Sequence, residues 1–247
     1  MPHVSAAQAI ELWERAADRT LGERAALLAQ FAFPDLPRAL VERTSVGRRD
    51  RAILALREET LGSQLECFVE CRRCAARLEF NFDAHELLDS EPARDAESVD
   101  YELETDGWRI RYRLPTGADV ADVAARTNGD AARHALLACC TLSVRTPDGT
   151  AAAFERLPDA ARDELETALE ARDPLAGASF STVCAACGQA SDFRFDVVPY
   201  FCTELFATAK RLLSDVDILA RTYHWREADV LAMSAVRRRC YVESALA

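Results

Sequence analysis

Two stretches decide how this chain is read. The first is Cys71-Arg72-Arg73-Cys74 followed by Glu79-Phe80-Asn81-Phe82-Asp83. The second is Cys184-Ala185-Ala186-Cys187 followed by Asp192-Phe193-Arg194-Phe195-Asp196. In both, an acid, two phenylalanines and an aspartate fall at the same distances after the second cysteine. The Phe-x-Phe alternation is strand periodicity. Each stretch therefore reads as one unit: a strand, a Cys-x2-Cys turn and a returning strand.

The chemistry of that unit is specific. Two thiolates with two residues between them reach one cation from a tight turn. Two such turns together supply the four sulfurs of a tetrahedral zinc site. Cys71, Cys74, Cys184 and Cys187 are the expected ligands, and structural Zn2+ the expected cofactor. The ribbon is split, because residues 75–183 intervene where a compact ribbon has only ~15–20. Other chemistries use the same residues. A thioredoxin-like pair sits at a helix N-terminus, whereas strand periodicity follows directly here. An iron–sulfur cluster also takes four thiolates, and spacing does not separate it from zinc. A ribbon without metal is the plain alternative.

Outward from these stretches, residues 1–60 read as helical, interrupted at Phe33-Pro34-Asp35-Leu36-Pro37 because proline disfavours helix at the preceding residue. Residues 63–116 read as strands, with Asp106-Gly107 as the type I′ turn of a hairpin between Tyr101 and Leu114. Asp89 to Asp95 reads as a polar linker. Asp119 is expected to cap a helix. Ala131 to Leu142 and Pro158 to Ala171 are expected helices. Residues 178–198 return to strand. The tail is helical from Phe201, with a turn at Tyr223-His224-Trp225. The expected fold class is α+β: mostly helical, with a small antiparallel zinc-ribbon-like module split by a long insertion. The division drawn is residues 1–62, 63–200 with a helical insertion at about 117–174, and 201–247.

Composition narrows the function. The 247 residues carry 41 acids against 30 Lys plus Arg, a net charge of −11. That opposes non-specific binding to nucleic acid, which needs cations to neutralise phosphates. At 49% hydrophobic residues the chain can bury a real core. No apolar run approaches a membrane span, and the first residues show no signal-peptide pattern, so a reducing cytoplasm is expected. Nine cysteines there are ligands or buried small hydrophobes rather than disulfides. Cys67 reads as a strand residue, and Cys139, Cys140, Cys202 and Cys240 as small apolar residues of helices. No Walker loop, G-x-S-x-G or paired His motif appears. A closed four-cysteine site leaves no open position for catalytic water, so no enzyme is nominated. Tyr223, Trp225, Arg237, Arg238 and Arg239 are candidate partner-binding residues, since Tyr, Trp and Arg dominate interface hot spots. The alternative for them is a helical hairpin pinned by its aromatics.

Several stretches in order carry a family likeness. They are Gly47-Arg48-Arg49-Asp50 through Leu56-Arg57, Thr60-Leu61-Gly62, Leu65 and the first cysteine turn with Leu78-Glu79-Phe80. Next come Arg113-Leu114-Pro115-Thr116 with Asp119, then Asp173-Pro174-Leu175-Ala176 and the second cysteine turn. Last are Tyr223-His224-Trp225, Arg237-Arg238-Arg239 and Tyr241. In this order the chain resembles the T-even-phage-type baseplate protein family of contractile-tail clusters, found in phage tails and phage-derived injection systems. The resemblance implies a non-enzymatic assembly part whose partners are other baseplate or hub proteins. It also implies incorporation into a phage tail-like particle, with no small-molecule substrate. The alternative kept beside it is a zinc-ribbon regulator that binds nucleic acid through Arg72, Arg73 and Arg237 to Arg239, or binds another protein.

Overall fold

A computed structural model describes residues 3–89 and 100–247; the linker reading falls outside them from Ser90 to Asp95. The fold is α+β, with helices around three small antiparallel sheets among the described residues. Helices α1 (Ala6–Ala16) and α2 (Leu21–Ala32) each begin in a capping box, Ser5 with Gln8 and Thr20 with Glu23. Such reciprocal bonds satisfy amides that a helix start leaves free. A short α3 (Arg38–Val41) follows the prolines. Helix α4 (Val46–Leu61) is capped by Ser45 and ends at Gly62, whose φ of 95° suits glycine.

The chain then forms β1 (Gln64–Glu70) and β2 (Arg77–Asp83), a hairpin closed by the first cysteine turn, and the brief α5 (Ala84–Leu88). The insertion supplies a four-stranded sheet in the order β3-β4-β5-β6. Its strands β3 (Tyr101–Thr105) and β4 (Trp108–Tyr112) meet at Asp106 and Gly107, with φ of 47° and 78°. Both values are positive, as a type I′ turn requires. Helices α6 (Gly117–Arg126) and α7 (Gly129–Cys140) precede β5 (Thr141–Arg145) and β6 (Ala151–Ala152), and α8 (Asp159–Arg172) packs beneath. The second cysteine hairpin, β7 (Ser179–Val183) and β8 (Ala190–Arg194), leads into the long α9 (Val197–Tyr223). Helices α10 (Glu227–Leu231) and α11 (Ala235–Leu246) fold back on it.

Two readings of the insertion need correction. The expected helix over Ala131 to Leu142 stops at Cys140, and Thr141 and Leu142 belong to β5. The apolar run over residues 135–140 ends at polar Thr141, and Thr141-Leu142-Ser143-Val144-Arg145 alternates as a strand does; the helix reading overran that change by two residues. Asp119 does not cap α6. Thr116 does, and Asp119 is the third helical residue of a capping box. Its carboxylate takes both the Thr116 amide and hydroxyl, at 2.8 Å each.

The described residues form two apolar cores. One gathers Leu12, Leu28, Ile53, Leu54, Leu65, Phe201 and Leu205 from α1, α2, α4, β1 and α9. The other lies inside the insertion, around Ile110, Tyr112, Val144, Phe154 and Leu165. Helix α4 joins them. The Val46 amide donates to the Pro115 carbonyl at 2.9 Å, and the Gly47 amide to Asp173 Oδ2 at 2.8 Å. Arg113 grips Asp119 through both guanidinium ends, at 2.6 and 2.8 Å. That pairing, with the Thr116 bonds, holds the Asp119 carboxyl well below the usual carboxylate range. Asp50 and Asp173 are buried, and burial pushes both carboxyls up.

No side chain fits at Gly47. A Cβ there would stand 2.1 Å from Asp173 Oδ1, 2.6 Å from its Cγ and 2.9 Å from the Ala176 backbone nitrogen. Gly47→Ala therefore must push α4 off the insertion and break the Asp173 bond. It is expected to cost about 2–3 kcal/mol in urea unfolding, the upper part of the overpacking range. Gly22→Ala, where the new Cβ would meet only Ala121 Cβ at 4.0 Å, is the control and should not lose stability.

Candidate metal centre

Each cysteine turn is built the same way. The Cys71 amide donates to the Ala76 carbonyl at 2.9 Å and the Ala75 amide to the Cys71 carbonyl at 2.8 Å. The Cys184 amide donates to the Gln189 carbonyl at 2.9 Å and the Gly188 amide to the Cys184 carbonyl at 2.8 Å. Both turns need one left-handed residue directly after the second cysteine: Ala75 at φ 56° and Gly188 at φ 70°. The hairpin registers also coincide, Cys67 opposite Phe80 and Phe180 opposite Phe193. The likeness runs further than the cysteines. Asp83, the last residue of β2, and Asp196, two residues beyond β8, each cap the following helix, accepting the amides of His85 and Val198. The aspartate noticed after each Phe-x-Phe is thus a helix cap, at the same place in both copies.

The two turns meet. Cys71 Sγ lies 3.7 Å from Cys187 Sγ, and Cys74 Sγ 3.7 Å from Cys184 Sγ. All four sulfurs lie within 4.8 Å of one another, the one such group among the described residues. A disulfide would need ~2.05 Å, and the cysteines are free thiols. Four sulfurs around one ion at ~2.3 Å would stand about 3.8 Å apart, so the donor set fits a single tetrahedral cation. Cys71 and Cys184 are buried, Cys187 is half-buried and Cys74 is exposed. The backbone amides of Arg73 and Cys74 donate to the Cys71 sulfur and hold that thiol below its ordinary range. At Cys187 the Gln189 amide favours the thiolate. Burial and the sulfurs of Cys74, Cys184 and Cys71 outweigh it and hold the thiol high. Crowded thiols that resist joint ionisation are what a divalent cation relieves.

Behind the sulfurs, the hairpins are joined by rings. Phe82 lies 4.7 Å from Phe180 and 5.3 Å from Phe195, and Tyr200 lies 5.3 Å from Phe195. Phe180 and Tyr200 carried no signal of their own in the sequence. Aligning the two copies across the whole hairpin, not only after the cysteines, would have placed Phe180 opposite Phe193.

No family model, curated protein or solved structure matches the chain.

The structure brings together all four expected ligands and leaves the other five cysteines apart. Cys67 lies in β1, outside the sulfur group. Cys140 and Cys202 are buried, as small apolar residues would be. Cys139 and Cys240 are exposed, which corrects the apolar-face reading for them. The Cys139 thiol donates to Asp119 Oδ1 at 3.1 Å. In the C-terminal hairpin, Tyr223 stacks on Trp225 at 4.7 Å and Tyr241 meets Trp225 edge-on at 4.8 Å. Arg237 lies over Tyr241, 5.7 Å from its ring centre. Arg238 is buried and bonded to Asp215 at 3.0 Å. Its charge is committed inside the molecule, while Arg237 and Arg239 face solvent.

Ala75 offers a direct test of the turn. A non-glycine residue held left-handed costs roughly 1–2 kcal/mol, and glycine returns part of that as extra chain entropy. Ala75→Gly is expected to stabilise the protein by about 0.5–1 kcal/mol in urea unfolding, whereas Ala76→Gly should not.

Proposed function

We propose that the chain is a non-enzymatic assembly component of the baseplate or hub of a contractile tail or injection system, held together by one structural Zn2+ on Cys71, Cys74, Cys184 and Cys187. The observation that carries the metal half of this reading is the four-sulfur cluster, whose 3.7 Å cross-hairpin spacings suit one tetrahedral ion. Four thiolates favour a soft ion that accepts tetrahedral geometry, which zinc does. A multi-iron cluster, in which different irons take different thiolates, would spread the sulfurs farther. The ion would supply no chemistry beyond cross-linking, since four protein ligands close the site. It would hold the two hairpins, and with them α4, α9 and the insertion, in one fixed arrangement.

The assembly half rests on the ordered family resemblance. Three of its stretches meet where α4 packs on the insertion: Gly47 bonds Asp173, and Pro115 accepts the amide of Val46, the residue before Gly47. Among the described residues no helix is long and apolar enough to cross a membrane. The nucleic-acid alternative is weakened by Arg238, which pairs with Asp215, and by the net charge of −11.

The test is an affinity pull-down from cells assembling contractile particles, after nuclease treatment and at two salt concentrations. Recovery of defined baseplate or hub proteins at both salts is the expected result. Recovery of nucleic acid that high salt removes would replace this reading with the regulator.

A further inference from the structure

The four sulfurs differ in access, and that difference has a chemical consequence. Cys74 is exposed, whereas Cys184, 3.7 Å away across the hairpins, is 2% exposed. The second close pair, Cys71 and Cys187, also crosses between hairpins. Oxidation of a thiol follows exposure and thiolate character, and a metal-bound cysteine is a thiolate. We propose that Cys74 is an oxidation site, at which a two-electron oxidant of the hydroperoxide class converts the metal staple into a disulfide staple between the same two hairpins. This rests on the four-cysteine metal reading above.

The step balances without any other reagent. The Cys74 thiolate attacks one oxygen of hydrogen peroxide; the O–O bond breaks, hydroxide leaves and takes a proton, and Cys74 becomes a sulfenic acid. The Cys184 thiolate then attacks the Cys74 sulfur and displaces a second hydroxide, which also becomes water. One peroxide is reduced, two thiolates are oxidised, and the Cys74–Cys184 bond forms. Two thiolates no longer hold the cation, which leaves with the first equivalent. A second equivalent joins Cys71 to Cys187 by the same route. The closed chain between the hairpins survives in both forms, so metal loss by oxidation would not unfold the protein as chelation does.

The experiment uses the full chain carrying Cys139→Ser and Cys240→Ser, which removes the exposed cysteines outside the sulfur group. Zinc content is measured first. The protein is then treated with one and two equivalents of hydrogen peroxide, and released zinc, dimedone-trapped sulfenic acid and disulfide-linked peptides are followed by mass spectrometry. The expected results are dimedone on the Cys74 peptide, about one zinc released with the first equivalent, and Cys74–Cys184 linked peptides. The oxidised protein should also stay folded in EDTA, and dithiothreitol should abolish that resistance. Disulfides within each turn, Cys71–Cys74 and Cys184–Cys187, would overturn the proposal, as would sulfinic acids without disulfides. Absence of zinc before oxidation would overturn the metal reading by itself, while the peptide map still decides which sulfurs pair.

Discussion

Cys184→Ser is expected to lower the melting temperature far more than Cys240→Ser, or to prevent folding altogether. Cys184 is buried within the sulfur group, and Cys240 is exposed on α11. Structural zinc contributes roughly 10–16 kcal/mol of apparent free energy in small peptides, comparable with the whole stability of a domain, about 5–15 kcal/mol. Losing one thiolate of four does not remove all of that, but it leaves three crowded sulfurs with a weakened cross-link. At Cys240 a serine faces water and the change should stay within about 0.5 kcal/mol. Calorimetry of both variants, with and without EDTA, checks this. Chelation should lower the melting temperature of wild type and Cys240→Ser strongly and that of Cys184→Ser little. Equal melting temperatures for the two variants would remove the staple from the account.

The second large effect is expected at Arg57. Its guanidinium is buried and bonded to both oxygens of Glu204, at 2.8 and 2.6 Å. It also donates to the Gly62 carbonyl, at the turn that feeds β1, and lies over the Tyr200 ring. Tyr200 in turn bonds the Glu66 backbone through its hydroxyl, at 3.0 and 3.1 Å. Arg57 thus ties α4 and α9 to the root of the first cysteine hairpin. Arg57→Ala leaves Glu204 without its counter-charge and Gly62 without its donor. Breaking a fully buried pair on one side costs about 3–5 kcal/mol, and because the Glu204 side chain keeps 27% exposure, about 2–3 kcal/mol is expected here. Arg15→Ala, which breaks an exposed pair with Glu11, should cost under ~1 kcal/mol. Urea unfolding of both variants gives the comparison, and similar midpoints would contradict it. A loss at Arg57 that matches chelated wild type would further indicate that the hairpin's root and its tip stabilise one unit.

The cysteine units were legible because strands and tight turns leave local marks. Alternation gave the returning strands, and the Cys-x2-Cys spacing gave the turns. Asp106-Gly107 gave the insertion's hairpin, since two positive φ values restrict the residues allowed. Other features were legible but misread. Thr116 and Asp119 form one capping box, and the acid drew the cap assignment although the hydroxyl three residues earlier holds it. Asp83 and Asp196 were seen to match, yet their capping role shows only when the helices behind them are placed. What stayed hidden was long-range. Nothing local pairs Arg57 with Glu204, 147 residues away, or Gly47 with Asp173, 126 residues away. The switch from α7 to β5 at Thr141 was not hidden: Thr141-Leu142-Ser143-Val144 alternates polar and apolar before pairing with β4 and β6, and the helix was read two residues too far. Arg238 looked like its neighbours in a run of three arginines, and only the fold buries it against Asp215.

The central claim is that four cysteines from two distant turns hold one ion. The most direct measurement is metal content by mass spectrometry on protein purified without chelator, for wild type and for Cys71→Ser/Cys184→Ser. The account predicts about one zinc per wild-type chain and none in the variant. Wild-type protein with no metal and all four thiols free to titrate would contradict it, as would several irons per chain.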